Sequence, residues 1–411
     1  MPAAVVTATP EEVGLSSEGL ARVDAYVQDQ IDAGLIPGAV TLVARHGKVC
    51  HVQAMGMKDI AAGAASRVDG LYRIFSMTKP VTAVAMMTLW DEGRWTLDDP
   101  IALHLPEFAD VHVCAGRNDD GTLKLAPPHS APTIRDLVTH SAGFAYGSAL
   151  SDPNDPVDSA YRAAKVWEAA TLAEMMARVA TCPLSFQPGT SWRYSIGMDI
   201  QGALIERLTG RSLADFMRER IFAPLAMDDT AFFTPPAKAD RLATLYAKLG
   251  DAPLTQVANP MRRDCDAEPA VALGGGGLVS TIGDYARFAQ MLLDRGACAG
   301  GRVMSEAAAR TMMTNHLPDA LMQHGFTAGH QRIRPGFGIG VNGVVFTDPD
   351  LAGVPVGRGT YHWDGAAGTW FWVDPENDLL FVGMTQFLSY TAPPLQATTQ
   401  RLMAEAILGT L

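Results

Sequence analysis

Ser76-Met77-Thr78-Lys79 stands where an apolar, strand-like stretch from Gly70 to Phe75 gives way to a helical pattern from Pro80 to Glu92. Serine and lysine three residues apart at a helix start share one face of the first turn. The hydroxyl then lies within reach of an amine that can take its proton, and both sit near the positive end of the helix dipole. That field favours an oxyanion at Ser76 and a neutral Lys79, the states that a serine nucleophile and a lysine base require. The same spacing also describes an N-cap serine with a solvated lysine nearby. The rest of the chain must decide between the two.

The chain has 411 residues, 48% of them hydrophobic and 18% charged, which predicts a well-buried globular protein of two lobes or of one fold with an inserted lobe. Its net charge is −12, and no basic cluster exceeds Met261-Arg262-Arg263, so nucleic acid is not expected as a partner. Five cysteines (Cys50, Cys114, Cys182, Cys265, Cys298) are scattered without a C-x-x-C, the pattern of reduced thiols rather than a disulfide framework. Met1 to Glu12 lacks a basic segment followed by an apolar core, and no run of 18 apolar residues occurs. Neither an export signal nor a membrane span is expected, and a cytoplasmic location follows.

Working outward from Ser76, Ser16 to Ala33 reads as a capped amphipathic helix with Leu20, Val23, Val27 and Ile31 on one face. Two strand-like runs, Ala39 to Ala44 and Val49 to Ala54, are joined by His46-Gly47-Lys48 as a hairpin. Helical patterns dominate the middle: Thr133 to His140, Leu172 to Thr181, Met198 to Leu208 and Ser212 to Ile221. Arg117 to Ser130 and Tyr146 to Asp158 read as exposed, turn-rich loops. After Gly274 to Gly277 come helices Ile282 to Asp294 and Ser305 to Met313, then strand-like Gly340 to Phe346, Gly368 to Val373 and Leu379 to Met384, and a closing helix Leu395 to Leu408. The expected architecture is α/β of the α+β type: an antiparallel sheet flanked by helices, plus a mostly helical lobe. Residues 1–70 and 270–411 would form the α/β domain, residues 71–269 the helical one. A cleft is expected between them.

Two other patterns lead elsewhere and fail. Gly338-Ile-Gly340-Val-Asn-Gly343 matches G-x-G-x-x-G, but no helix follows it to receive a pyrophosphate. The ten histidines show no H-E-x-x-H or comparable spacing, so neither metal nor other cofactor is implied. There is also no G-x-S-x-G elbow.

Two further segments raise Ser76 above a chance match. Ser191-Trp-Arg-Tyr194-Ser195-Ile196-Gly-Met presents a tyrosine ahead of a helix, and His362-Trp363-Asp364-Gly365-Ala366-Ala367-Gly368 opens a strand. In this order the three segments resemble the serine β-lactamase-like superfamily of class C β-lactamases and DD-peptidases, and within it most closely the family VIII carboxylesterases. Leu137-Val-Thr-His140-Ser-Ala-Gly143, Trp90-Asp-Glu-Gly93 and Gly275-Gly-Gly-Leu278 add local matches, and the likeness spans about Ser16 to Leu408. The fold implied is β-lactamase/transpeptidase-like. The resemblance makes Ser76 the nucleophile and Lys79 with Tyr194 its base system, and assigns the oxyanion to the backbone N–H groups of Ser76 and Ala366, the latter on a strand. A tyrosine of ordinary pKa near 10 needs a nearby cation to act as a base, and Lys79 either supplies that charge or is itself the base. The two form one coupled unit.

Departures from the superfamily pattern point to substrate. β-Lactamases and DD-peptidases carry Lys-Thr-Gly where this chain has Trp363-Asp364-Gly365, and an asparagine where it has Ile196. Loss of the cation and gain of a carboxylate penalise a carboxylate-bearing substrate. The esterases usually carry Trp-Gly-Gly, so Trp363 fits and Asp364 does not. With Trp363, Asp364, Gly365 and Ile196 taken as pocket residues, the implied activity is hydrolysis of a neutral, short-chain ester by double displacement. An acyltransferase with the same residues, a β-lactamase or DD-peptidase, and a non-catalytic binding protein on the same fold are the alternatives. The partner expected is a small-molecule ester.

Overall fold

The computed structural model describes residues 5–148, 151–248, 250, 252–259, 267–328, 331–388 and 393–408. Met261-Arg262-Arg263 and Cys265 lie outside the described residues, and the other four cysteines are unpaired.

Helix α1 (Ser17–Asp32) starts one residue away from the serine at its sequence-predicted start: Ser16 is the cap, its hydroxyl accepting from the Gly19 N–H. Strands β1 (Gly38–Arg45) and β2 (Lys48–Asp59) form the expected hairpin. His46 and Gly47 both have positive φ, 53° and 70°, the backbone of a two-residue turn whose twist matches the strands. After the short β3 (Ala64–Ala65) the chain leaves the sheet until β4 (Phe337–Ile339) and β5 (Val344–Phe346), then closes it with β6 (Tyr361–Asp364), β7 (Trp370–Asp374) and β8 (Leu379–Met384). The eight strands run β4-β5-β6-β7-β8-β1-β2-β3, every neighbouring pair antiparallel. Central β1 is joined to β8 from the far end of the chain, Val40 opposite Met384 and Arg45 opposite Leu379.

Both faces of the sheet are covered, which is why its strands read as continuous apolar runs. Ala39, Val43, Trp370, Trp372 and Phe381 pack beneath α1 and the closing helix, Leu395–Ala406. The alternate residues Val40, Leu42, Phe371, Leu380 and Val382 join the larger core, with helix Ile282–Leu293 against them. Deep in that core runs helix α2 (Thr78–Asp91), buried without interruption from Thr78 to Leu89. Each fully buried Val, Leu or Met on it contributes about 1.5–3 kcal/mol relative to exposure. A helix packed on all sides is held in place, and that rigidity is passed to the turn before it.

The G-x-G-x-x-G segment is the β4–β5 hairpin, with Asn342 at φ 56° in its turn. Two loop expectations are corrected. Pro156–Ala163 is a helix, capped by the Asp155 side chain, and Val113–Arg117 pairs with Leu123–Ala126 as an exposed hairpin. The helix is only eight residues long, with Val157 and Tyr161 as its buried apolar side, and it lies in a polar, turn-rich stretch; the short polar strands leave weak hydrophobic periodicity. Among the described residues, no helix is long and apolar enough to cross a membrane.

Candidate active site

Ser76 sits in a single 3₁₀ turn, Phe75–Met77, that runs into α2. Phe75 has φ 44°, a left-handed conformation costly for an aromatic residue. The turn is held from several sides. Ile74 N–H donates to Leu278 O at 3.0 Å, Leu278 N–H to Thr78 Oγ1 at 3.2 Å, and Tyr285 Oη–H to Met77 O at 2.8 Å. Strain that the surroundings over-determine in this way marks a place where the fold aims a side chain.

Three expected residues meet there. Ser76 Oγ lies 2.7 Å from the Tyr194 hydroxyl and 3.3 Å from Lys79 Nζ. Lys79 is fully buried, donates to Gly275 O at 2.5 Å, and places its Nζ 4.7 Å from the Tyr194 ring centre. Burial pulls its ammonium down to about 8, with Asp199 and then Asp364 opposing that fall. Burial also holds the Tyr194 phenol well above its usual range, so at neutral pH Tyr194 is protonated.

Tyr194 is placed by a loop stitched to the segment 140–145. Arg193 N–H donates to His140 O at 3.0 Å, Ser195 N–H to His140 Nδ1 at 3.2 Å, and Ile196 N–H to Ala145 O at 3.0 Å. Because His140 Nδ1 accepts from an amide, its proton belongs on Nε2; burial and the nearby Lys79 hold this ring neutral. His140, Tyr146 and Trp363 surround the Tyr194 ring at centroid distances of 4.9, 5.7 and 6.2 Å, the last two stacked.

Ala366 corrects one expectation. It lies in the tight turn between β6 and β7 rather than on a strand, with Gly368 N–H closing the turn onto Gly365 O at 2.8 Å. The turn is pressed onto the nucleophile's own loop: Thr369 Oγ1 donates to Ile74 O at 3.2 Å, and a Cβ on Gly365 would fall 2.4 Å from the same oxygen. Only glycine permits that approach. Ser76 and Ala366 thereby line one cavity of about 230 Å³, together with Phe75, Tyr146, Tyr194, Gly275, Gly276 and Leu388. Ser148, Ser151, Asp158 and Arg193 complete its wall.

The expected pocket residues divide differently. Ile196 is fully buried in the helical core ahead of helix α3 (Gly197–Thr209), because its side chain follows the apolar face of that helix. Trp363 lies behind Tyr194 and is 3% exposed, a backing residue rather than a wall. Asp364 and Gly365 line a second cavity of about 400 Å³ across the β6–β7 turn. For Asp364 the alternation along β6 explains this, since it and its neighbour Trp363 point to opposite faces. The second cavity is larger, but none of Ser76, Lys79 and Tyr194 borders it, so the smaller one is the candidate site.

Asp199 was not found in the sequence, and Gly275 was visible there only as part of a glycine run. Asp199, 1% exposed on the first turn of α3, accepts from Gly275 N–H at 3.0 Å through Oδ1. Burial raises this carboxyl to about 6, with Lys79 as the leading opposing influence. The run Gly274 to Gly277 was visible, and its need is now plain: a Cβ would meet Met198 O at 2.5 Å from Gly274 and Asp199 Oδ2 at 2.8 Å from Gly275.

Such a site positions a hydroxyl between an amine and a phenol beside a partly open cavity with aromatic residues in its wall, the makings of nucleophilic attack on an acyl carbon. Similarity to known proteins gives the family. The beta-lactamase family profile matches residues 23–405. Esterase EstB of Burkholderia gladioli is 31% identical over 389 residues, covering 88% of this chain and 89% of EstB. Lovastatin esterase of Penicillium rubens is 30% identical over 379 residues, covering 88% and 92%. The solved structure of EstCE1, a hydrolase with promiscuous acyltransferase activity, superposes with a TM-score of 0.75 at 26% identity, covering 95% of this chain and 99% of EstCE1. The chain belongs to the beta-lactamase family of serine hydrolases, and groups within it with the family VIII esterases.

Proposed function

We propose that this protein is a carboxylesterase that cleaves neutral, short-chain acyl esters through an acyl-enzyme on Ser76. The observation that carries the reading is the placement of one hydroxyl, Ser76 Oγ, 2.7 Å from Tyr194 and 3.3 Å from Lys79 in the cavity that Ala366 also lines. Neutral Lys79 takes the Ser76 proton as Oγ bonds to the ester carbon. The resulting oxyanion is met by the N–H groups of Ser76 and Ala366, two donors fixed by the turns that carry them. As the carbon–oxygen bond breaks, Tyr194 gives its proton to the departing alkoxide, and the Lys79 ammonium returns one to Tyr194. Water then enters, loses its proton to the same pair, and releases the acid and free Ser76.

Neutral esters suit the walls. Phe75, Tyr146 and Leu388 are apolar or aromatic, and Arg193 is bound to Asp155 at 3.1 Å and Asp158 at 2.7 Å, so this cluster carries net negative charge. A substrate carboxylate would meet that charge unfavourably. Hydrolysis of short aryl esters by purified protein, compared with a chromogenic cephalosporin, tests the assignment. Faster turnover of the cephalosporin would overturn it.

Acyl transfer is the second reading, favoured by the likeness to EstCE1, a hydrolase with promiscuous acyltransferase activity. It needs only that an alcohol outcompete water for the acyl-enzyme. Added acceptor alcohols that convert product acid into new ester would support it.

A further inference from the structure

Asp199 carries a negative charge that its hydrogen bond does not need. An asparagine at this position would accept from Gly275 N–H equally well. The carboxylate instead leaves Oδ2 without a hydrogen-bond partner among the described residues, a costly arrangement for a fully buried anion. Its link to the site is a single residue of backbone: Gly275 donates its N–H to Asp199 and accepts from Lys79 Nζ at 2.5 Å through its carbonyl. Asp199 and Lys79 form no ion pair in contact, and no other cation pairs with Asp199 among the described residues. Substitution at Gly275 is blocked by Asp199 Oδ2 itself.

We infer that Asp199 is the positioning residue of the proton relay: it fixes Gly275 against Lys79, and its charge stabilises the Lys79 ammonium formed when Ser76 loses its proton. The inference rests on the Ser76 reading above. The other titratable groups near Lys79 contribute less to this role. Tyr194 and Tyr146 are protonated phenols, and His140 is neutral. Asp364, on β6, has a weaker influence on Lys79 than Asp199 and is less buried. Helix α3 reinforces the choice, because the N-terminal turn that holds Asp199 favours an anion.

The test is the pH dependence of Ser76 labelling by a fluorophosphonate, with ester turnover measured alongside, in wild type and Asp199→Asn. Losing the counter-charge destabilises the ammonium. The alkaline rise in labelling therefore moves to lower pH by about 1–3 pH units, and its plateau falls. KM for a neutral ester stays within about twofold, as expected where only transition-state charge is affected. An unmoved pH profile overturns the inference, because a purely structural role leaves it in place. Labelling without ester turnover would defeat the substrate assignment while leaving Asp199 testable. Should Asp199→Asn fail to fold, the reciprocal measurement decides: the infrared band of a protonated carboxyl in Lys79→Ala must titrate at higher pH than in wild type. An unchanged band overturns the inference.

Discussion

The hydroxyls of Ser76 and Tyr194 stand 2.7 Å apart although 118 positions separate them in the chain. Neither is on a flexible element. One rides the strained turn before a wholly buried helix, the other a loop stitched to residues 140–145.

Removing only the Tyr194 oxygen should therefore separate proton transfer from binding. Tyr194→Phe keeps the rings of His140, Tyr146 and Trp363 packed and deletes the contact with Ser76. The expected result is a fall in kcat of about 10²–10⁴-fold with KM little changed. Steady-state kinetics on a short aryl ester measure it.

The pH profile follows from Lys79. Its amine must be neutral to accept the Ser76 proton, and burial brings its pKa to about 8. Rate should thus rise with pH and level off above about 8, the reverse of a profile set by a required acid. A kcat/KM profile on an uncharged ester reads this directly.

The β6–β7 turn offers a test of the oxyanion site. Ala366 is the second residue of a turn closed by Gly368 N–H on Gly365 O, a position that proline readily occupies. Ala366→Pro deletes the N–H and preserves the turn. It should lower kcat by about 10²–10³-fold while leaving thermal stability near that of wild type.

Far from Ser76, His362 links pH to stability. Buried beside Gln396, its ring is held neutral down to about 3, whereas in the unfolded chain it protonates near 6.5. Below 6.5 the unfolded state binds the extra proton, so stability is lost as pH falls through this window. His362→Gln should unfold with a shallower acid dependence. The difference from wild type would reach on the order of 5 kcal/mol at the acid end, measured by denaturant unfolding at a series of pH values.

How much of this was legible in the sequence depended on whether chemistry or packing set each residue's place. Ser76, Lys79 and Tyr194 could be found because reactive side chains at a helix start and before another helix leave short, ordered signals. The sheet was legible through β1 and β8, whose apolar runs are continuous because both faces are covered. Asp199 was not, since its partner is a backbone amide of a distant glycine and backbone contacts leave no motif. Ile196 and Asp364 were misplaced for a geometric reason: being next to a site residue in sequence says nothing of direction. One follows a helix face into the core, and the other points across its strand to the second cavity. Pro156–Ala163 was hidden by its polar surroundings and became a helix through an aspartate cap.

Ser76 should carry a covalent acyl intermediate, which mass spectrometry of protein quenched during turnover of a mixed ester panel would detect. The expected result is a single added acyl mass, located on the peptide that contains Ser76 and absent from Ser76→Ala, which also loses ester hydrolysis. Undiminished hydrolysis by Ser76→Ala, or an acyl group carried on another residue, would contradict it.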